Sequence, residues 1–230
     1  MLKPRLEALA GKEAPVDVVD ATDVITMEDK GLALALKAKR RGSRTTMAVG
    51  MDLVKEGAAD AFITAGNTGG GLATAFYRLG VIEGVERPAL TGLFPVKGGH
   101  CVVLDIGANP ECTPHYLLQF AIMGSVYAAK VRKVSNPRIG LLSNGEEGGK
   151  GNELVKAAYL LLKESKLNFI GNIEGKELFN GAADVVITDG FTGNILLKSS
   201  EAVAKLLTTL LKEELKSGVI TTLGALLAKP

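Results

Sequence analysis

The chain has 230 residues, of which 47% are hydrophobic and 23% charged, so it can bury a sizeable core in one large or two small domains. A net charge of +2, no Trp and 5% aromatics argue against a general nucleic-acid binder or a stacking platform for single strands. The two cysteines, Cys101 and Cys112, have no paired spacing and suit a reducing cytoplasm, and the opening Met1-Leu2-Lys3-Pro4-Arg5 has no signal-like apolar region.

In chain order, residues 1–15 read as the end of a helix and a turn. Val16 to Val19 is a short β-like run, and Asp29 to Lys39 is helical in pattern, followed by the basic cluster Lys37, Lys39, Arg40, Arg41 and Arg44. Thr46 to Glu56 predicts a helix closed by Gly57, Ala61 to Thr64 a buried strand, and Leu72 to Leu79 the helix behind a glycine loop. Ala89 to Leu93 and Cys101 to Leu104 predict strands, with Pro95, Gly98 and Gly99 in the turn between them. Pro114 suits a first helical turn, ahead of an apolar helix to about Val131. Ile139 to Leu142, Phe169 to Ile170 and Val185 to Ile187 complete the strands, and Glu153 to Lys163 is a further helix. The last long helix is expected from near Asn194 to about Lys216. It carries Val203, Leu206, Leu207, Leu210, Leu211 and Leu215 at helical spacing, and a second apolar stretch, Val219 to Leu227, follows.

Four of these apolar runs end in Gly/Asn/Asp loops that lead into helices: 65–71, 105–109, 143–152 and 189–194. In an open α/β sheet such loops lie along one edge, where strand ends and helix starts form a ligand crevice. Glycine permits close backbone approach, and free amides at helix starts favour an anion. The pattern predicts an enzyme for a phosphate-like ligand. Gly66 to Gly71 lacks the Lys-Ser/Thr ending of a P-loop, and no G-x-G-x-x-G follows the first strand-like run. Cys112-Thr113-Pro114-His115 has no second ligand pair, so neither a metal nor another cofactor is expected.

Several of these segments together resemble the bacterial phosphate acyltransferase family, PlsX. They are Ala65-Gly66-Asn67-Thr68-Gly69, Arg87-Pro88-Ala89, Leu104-Asp105-Ile106-Gly107-Ala108-Asn109, Gln119 to Tyr127, Gly145-Glu146-Glu147, Lys150-Gly151-Asn152-Glu153, Asn168 to Asn172 and Asp189-Gly190-Phe191-Thr192-Gly193-Asn194. They run in family order from about Met27 to Lys198. The resemblance implies attack of inorganic phosphate on the thioester of a long-chain acyl-acyl carrier protein. Acyl phosphate and free carrier protein result, and a downstream glycerol-3-phosphate acyltransferase uses the acyl phosphate for phosphatidic acid synthesis. It also implies a three-layer α/β/α, Rossmann-like fold of the isocitrate/isopropylmalate dehydrogenase type, with a protruding C-terminal helical segment. On this basis residues 1–198 form the catalytic-type domain, incomplete at its N-terminus, and residues 199–230 an amphipathic segment for homodimer and peripheral membrane contact. The place of action is the cytoplasm and the inner face of the membrane.

Some features depart from the family. Its opening strand and Asp-Ala-Met-Gly-Gly-Asp loop have no counterpart, and its glycine-rich continuation is absent after Pro230, so the chain reads as truncated at both ends. Gly70 stands where Ala is usual, and Phe94-Pro95-Val96-Lys97 differs from the expected Pro-Thr version. Phosphorolysis of a thioester needs phosphate held against its charge and an oxyanion stabilised, and the thiolate leaves readily; positioning and electrostatics suffice. Lys150, between glycines, is the first candidate to hold phosphate or the oxyanion. Asn194 is a candidate amide donor or N-cap, and Asp189 a candidate to orient a neighbouring donor or the lysine. Asn67, Thr68 and Gly69 are candidates to cradle phosphate or to form a tight turn. Asp105 and Asn109 end the next strand as substrate- or phosphate-binding candidates, Asn109 contacting substrate or bracing the loop, and Gly193 is a further candidate in the last loop. A solvated loop lysine and plain turn residues are the alternatives. Glu146 and Glu147 would repel phosphate and more naturally cap, pair or face solvent. For an acidic carrier protein, Lys37 to Arg44 or Lys130, Arg132 and Lys133 are candidate docking patches. Two other functions stay open: a short-chain phosphotransacylase using acyl-CoA, and a non-catalytic fragment that binds carrier protein or membrane.

Overall fold

In a computed structural model, residue 8, residues 16–40 and residues 42–227 are described. The expected elements over 1–15, Arg41 of the basic cluster and the end at Lys229-Pro230 lie outside them, apart from residue 8. Contacts divide the chain into two compact units, one ending at Gly84 and one beginning at Val85.

Among the described residues of the first unit are helices α1 (Gly31–Lys39), α2 (Thr46–Lys55) and α3 (Thr68–Arg78). Thr45 caps α2 by accepting from the Ala48 amide at 3.2 Å, and Gly57 ends it at a φ of +75°. Ala38, Met47, Ala48, Met51 and Ile25 are buried. Gly70 permits this packing, since a Cβ there would stand 2.7 Å from Ile25 Cγ2. The expected strand at Ala61 to Thr64 is not formed. The segment is irregular and Ile63 is 93% exposed. A four-residue apolar run cannot by itself report whether a neighbouring strand is present, and no described strand lies beside it. Val16 to Val19 is likewise unpaired, and the unit's one described β-bridge joins Asp23 to Thr45.

The second unit is a five-stranded sheet in the order β1-β2-β5-β3-β4. β1 (Thr91–Val96) and β2 (Gly99–Leu104) form an antiparallel hairpin, while β2, β5 (Val185–Ile187), β3 (Ile139–Leu142) and β4 (Phe169–Ile173) are parallel. Pro95, expected in the turn, lies within β1 opposite His100. As β1 is an edge strand, the missing proline N–H costs little there. Alternation along β2 sorts the core. Val102 and Leu104 join the cluster beneath α4 (Pro114–Lys130) and α5 (Glu153–Glu164). Cys101 and Val103 join the opposite cluster, with Leu178 of α6 (Gly175–Phe179) and Leu196 and Leu197 of α7 (Gly190–Leu215). Val185, Val186 and Ile187 are all buried, as a central strand covered on both faces requires. Short α6, which no sequence pattern announced, is held by a capping box between Glu174 and Glu177.

Two helical limits differ from expectation. α7 begins at Gly190 rather than near Asn194, because Asp189 caps it by accepting from the Thr192 amide at 2.9 Å. It is followed by α8 (Val219–Leu227). Residues 201–218 are exposed throughout, so the stripe from Val203 to Leu215 has no described core to pack against. No helix among the described residues is long and apolar enough to cross a membrane.

Candidate functional site

Topology places three of the four loops on one edge of the second unit's sheet. β2 and β3 lead into α4 and α5 on one face. Between them β5 leads into α7 on the other. Where neighbouring strands send their helices to opposite faces, a crevice opens beyond the carboxyl ends. The loops 105–109, 189–194 and 143–152 lie there. The fourth, with Asn67, Thr68 and Gly69, belongs to the first unit.

The first two loops are fastened together. Buried Asp105 accepts at Oδ1 from the amides of Leu90, Gly107 and Ala108 at 3.1, 3.0 and 2.9 Å. At Oδ2 it accepts from the Asn109 amide and Nδ2 at 2.7 and 2.8 Å. Its carboxylate is thus occupied in shaping the loop. Asn109 Nδ2 also donates to Pro88 O at 2.8 Å, and Asn109 O receives the Gly190 amide at 2.8 Å. The glycines allow this approach: a Cβ on Gly190 would stand 2.7 Å from Asn109 N and O, and one on Gly193 would collide with the Asp105 carbonyl oxygen. Asn194 lies in the first turns of α7 with its side chain over Gly107, where a Cβ would be 3.6 Å away. It is exposed, as an amide available to a ligand must be. Asp189 receives the Thr192 hydroxyl at 2.8 Å besides capping α7. Its partner is therefore Thr192, and no described ion pair joins it to Lys150.

On the other side of β5 a cavity of about 590 Å³ opens between β3, β5 and the starts of α5 and α7. Its apolar wall is Leu117, Leu141, Leu142, Val155, Ile195 and Leu196, and its polar wall includes Ser143, Asn152, Thr188, Asp189 and Thr192. Asn152 caps α5, accepting from the Val155 amide at 2.9 Å. Two helix N-termini therefore meet at one hollow, each with first-turn amides that lack intrahelical acceptors and a partial positive charge. Sequence reasoning missed Ser143, Thr188 and Thr192. All three lie in or beside quoted segments, but small hydroxyl residues at strand ends carry no periodic signal.

Lys150 is exposed in the loop between β3 and α5 and does not line the cavity. Its amide donates to Glu147 O at 2.9 Å, and its Cγ would stand 2.7 Å from a Cβ on Gly145. Among the described residues no carboxylate pairs with it. Lys176, by contrast, lies within 3.5, 3.7 and 3.3 Å of Glu146, Glu174 and Glu177. The hydrogen bond that Lys176 donates to Glu177 leads among the causes that raise its pKa above the ordinary lysine value. In the first unit Asn67 caps α3, accepting from the Gly70 amide at 2.9 Å, and its Nδ2 donates to Thr26 O and Asp29 O at 2.9 and 3.0 Å. Thr68 and Gly69 are exposed at the start of that helix.

Neither cysteine is a ready nucleophile. Burial pushes the Cys101 thiol up to about 12 and, also as the leading cause, the Cys112 thiol up to about 11. Lys130 ends α4, and Arg132 and Lys133 follow it before β3, at the opposite sheet edge from the loops. The same edge carries the Arg138–Asp184 pair at 3.0 Å, in which the hydrogen bond from Arg138 holds the Asp184 carboxyl below the usual carboxylate range. That cluster therefore does not border the crevice. No group of described residues forms a metal-binding cluster.

The family model "Fatty acid synthesis protein" matches residues 2–230. A phosphate acyltransferase from Acidobacterium capsulatum is 48% identical over 230 residues, covering 100% of this chain and 67% of that protein. One from Heliobacterium modesticaldum is 48% identical over 224 residues, covering 97% of this chain and 66% of its own length. The chain thus spans about two thirds of these relatives. Among solved structures, EutD phosphotransacetylase from Staphylococcus aureus has a similar fold, with a TM-score of 0.56 at 18% identity over 89% of this chain and 72% of that one.

Proposed function

The chain belongs to the phosphate acyltransferase (PlsX) family of fatty acid synthesis proteins, and from that premise we propose that it transfers a long-chain acyl group from acyl carrier protein to inorganic phosphate. A phosphate oxygen attacks the thioester carbonyl, the C–O bond forms, the C–S bond breaks, and the thiolate departs with free carrier protein. The observation that carries this reading is the meeting of two helix N-termini at a hollow with an apolar wall. Amides and partial positive charge suit phosphate and the developing oxyanion. The leucines and isoleucine suit an acyl chain. Lys150, exposed in the loop ahead of α5, and Asn194, exposed in the first turns of α7, are the donors assigned to reach the reacting atoms from beside the hollow, and Asp189 positions Thr192. Asp105, Asn109 and Gly193 hold the loops in place, and Asn67, Thr68 and Gly69 are the phosphate-cradle candidates of the first unit. No metal or other cofactor takes part. The fold falls in the isocitrate/isopropylmalate dehydrogenase-like, Rossmann-like class, with residues 1–198 as its catalytic part and 199–230 as the segment for homodimer contact. The product passes to a glycerol-3-phosphate acyltransferase.

The test is acyl-phosphate formation from palmitoyl-acyl carrier protein and phosphate, trapped with hydroxylamine. Product that requires both substrates is expected. The likeness to a phosphotransacetylase fold favours one alternative, a short-chain phosphotransacylase. Acetyl-CoA offered in the same assay should react poorly, and preference for it would replace the carrier-protein assignment. A folded sample that turns over neither donor would leave a binding fragment.

The protein acts in the cytoplasm, with peripheral contact at the inner face of the membrane. The exposed stripe from Val203 to Leu215 and the apolar α8 support that contact. Co-sedimentation with anionic liposomes is expected, and a dimeric sample left wholly in the supernatant would remove the membrane assignment.

A further inference from the structure

Among the described residues three buried side-chain atoms have no hydrogen-bond partner: Thr74 Oγ1, Ser143 Oγ and Asn172 Oδ1. Thr74 lies in α3 of the first unit. The other two lie at neighbouring strand ends. Leu141 pairs with Asn172 across β3 and β4, and Ser143, two residues further on, donates its amide to Ile173 O at 2.9 Å. Side chains two positions apart on an extended chain share a face. Ser143 thus follows Leu141 onto the face covered by α4 and α5, where it lines the cavity beside Gly151 and Asn152.

Its surroundings suit an anion. The first amides of α5, those of Glu153 and Leu154, directly follow the capping Asn152 and have no intrahelical acceptor. Gly151 closes over the hydroxyl. A Cβ there would stand 3.2 Å from Ser143 Oγ, and its φ of +98° reserves the position for glycine. A hydroxyl shut away without a partner is unfavourable and rare, while rotation about one χ1 bond carries a serine oxygen from one neighbour to another. Asn172 Oδ1 is an acceptor and offers nothing to an anion, so Ser143 alone matters here.

We infer that Ser143 donates a hydrogen bond to an anionic phosphoryl oxygen bound at the first turn of α5, on inorganic phosphate or on an acyl phosphate. The chemical identity of the anion rests on the reaction proposed above; the unpartnered hydroxyl at the cavity wall does not.

Calorimetric titration of inorganic phosphate, and separately of acetyl phosphate, into the chain tests this. Ser143→Ala is expected to weaken binding roughly 10- to 100-fold, the range for a lost hydrogen bond to a charged group. Its melting temperature without ligand should match or exceed that of the unsubstituted chain, because the deleted hydroxyl has no partner. Ser143→Thr keeps the hydroxyl, adds one methyl group and should bind within roughly a few-fold of the unsubstituted chain. Weakening for inorganic phosphate identifies the substrate as the ligand, and weakening for acetyl phosphate alone identifies the product. Unchanged binding of both by Ser143→Ala overturns the inference, as does an unsubstituted chain that binds neither. Acyl-phosphate formation is measured separately. Serine-dependent phosphate binding without turnover would keep Ser143 in place and remove the proposed reaction.

Discussion

Gly193→Ala is expected to lower stability by about 4 kcal/mol, at the severe end of single substitutions, and the melting temperature by roughly 10 °C. The added methyl would collide with the Asp105 carbonyl oxygen, a backbone atom. That oxygen cannot yield cheaply. The Asp105 amide donates to Thr188 O at 3.0 Å, and its carboxylate gathers the amides of Leu90, Gly107, Ala108 and Asn109. Relief would come from moving the start of α7. Such a shift breaks the Gly190–Asn109 hydrogen bond of 2.8 Å and withdraws Asn194 from Gly107. Acyl-phosphate formation should therefore fall with stability. Gly149→Ala is the control: nothing lies within 4 Å of a Cβ there, and the melting temperature should change by less than about 2 °C. Thermal unfolding of both variants decides the matter. Equal melting temperatures would mean that the two loops are not locked as described.

Lys150→Ala is expected to reduce turnover by about 10²- to 10³-fold, the usual effect of removing a donor that stabilises transition-state charge. The lysine stands on the loop between β3 and α5, near the anion-favouring start of that helix, and no described carboxylate neutralises it. The side chain is exposed and packs only its stem against Gly145, so melting should move by no more than about 2 °C. Loss of rate at constant stability separates a chemical role from a structural one. A rate near that of the unsubstituted chain would take Lys150 out of the mechanism and leave the hydroxyl and amide donors of the cavity to carry it.

Several rules that act within a few residues could be read from the sequence alone. Pro114 opens α4, Gly57 ends α2, and the valines and isoleucine at 185–187 form a central strand. The Gly/Asn/Asp loops at 105–109, 143–152 and 189–194 follow strands, and their order along the chain marked the family. Local rules misplaced the start of α7 because Asp189 and Asn194 are both good caps, and only the Thr192 amide beside Asp189 identifies the one used. They also promised a strand at 61–64, where apolar character was present and a ladder partner was not.

The sequence by itself determined the α/β character of the second unit, the loops that end its strands and the chemical family they belong to, since these depend on short-range backbone preferences and on residue types in order. Tertiary structure alone decided what each loop residue does. Inserting β5 between β2 and β3 puts helices on opposite faces, opens the cavity at that edge and sends Lys130 to Lys133 to the far one. It also occupies the Asp105 and Asn109 side chains with bracing bonds and leaves Ser143 Oγ without a partner. Hydrogen bonds and contacts between residues distant in the chain arise from strand order, and strand order is not written in any local pattern.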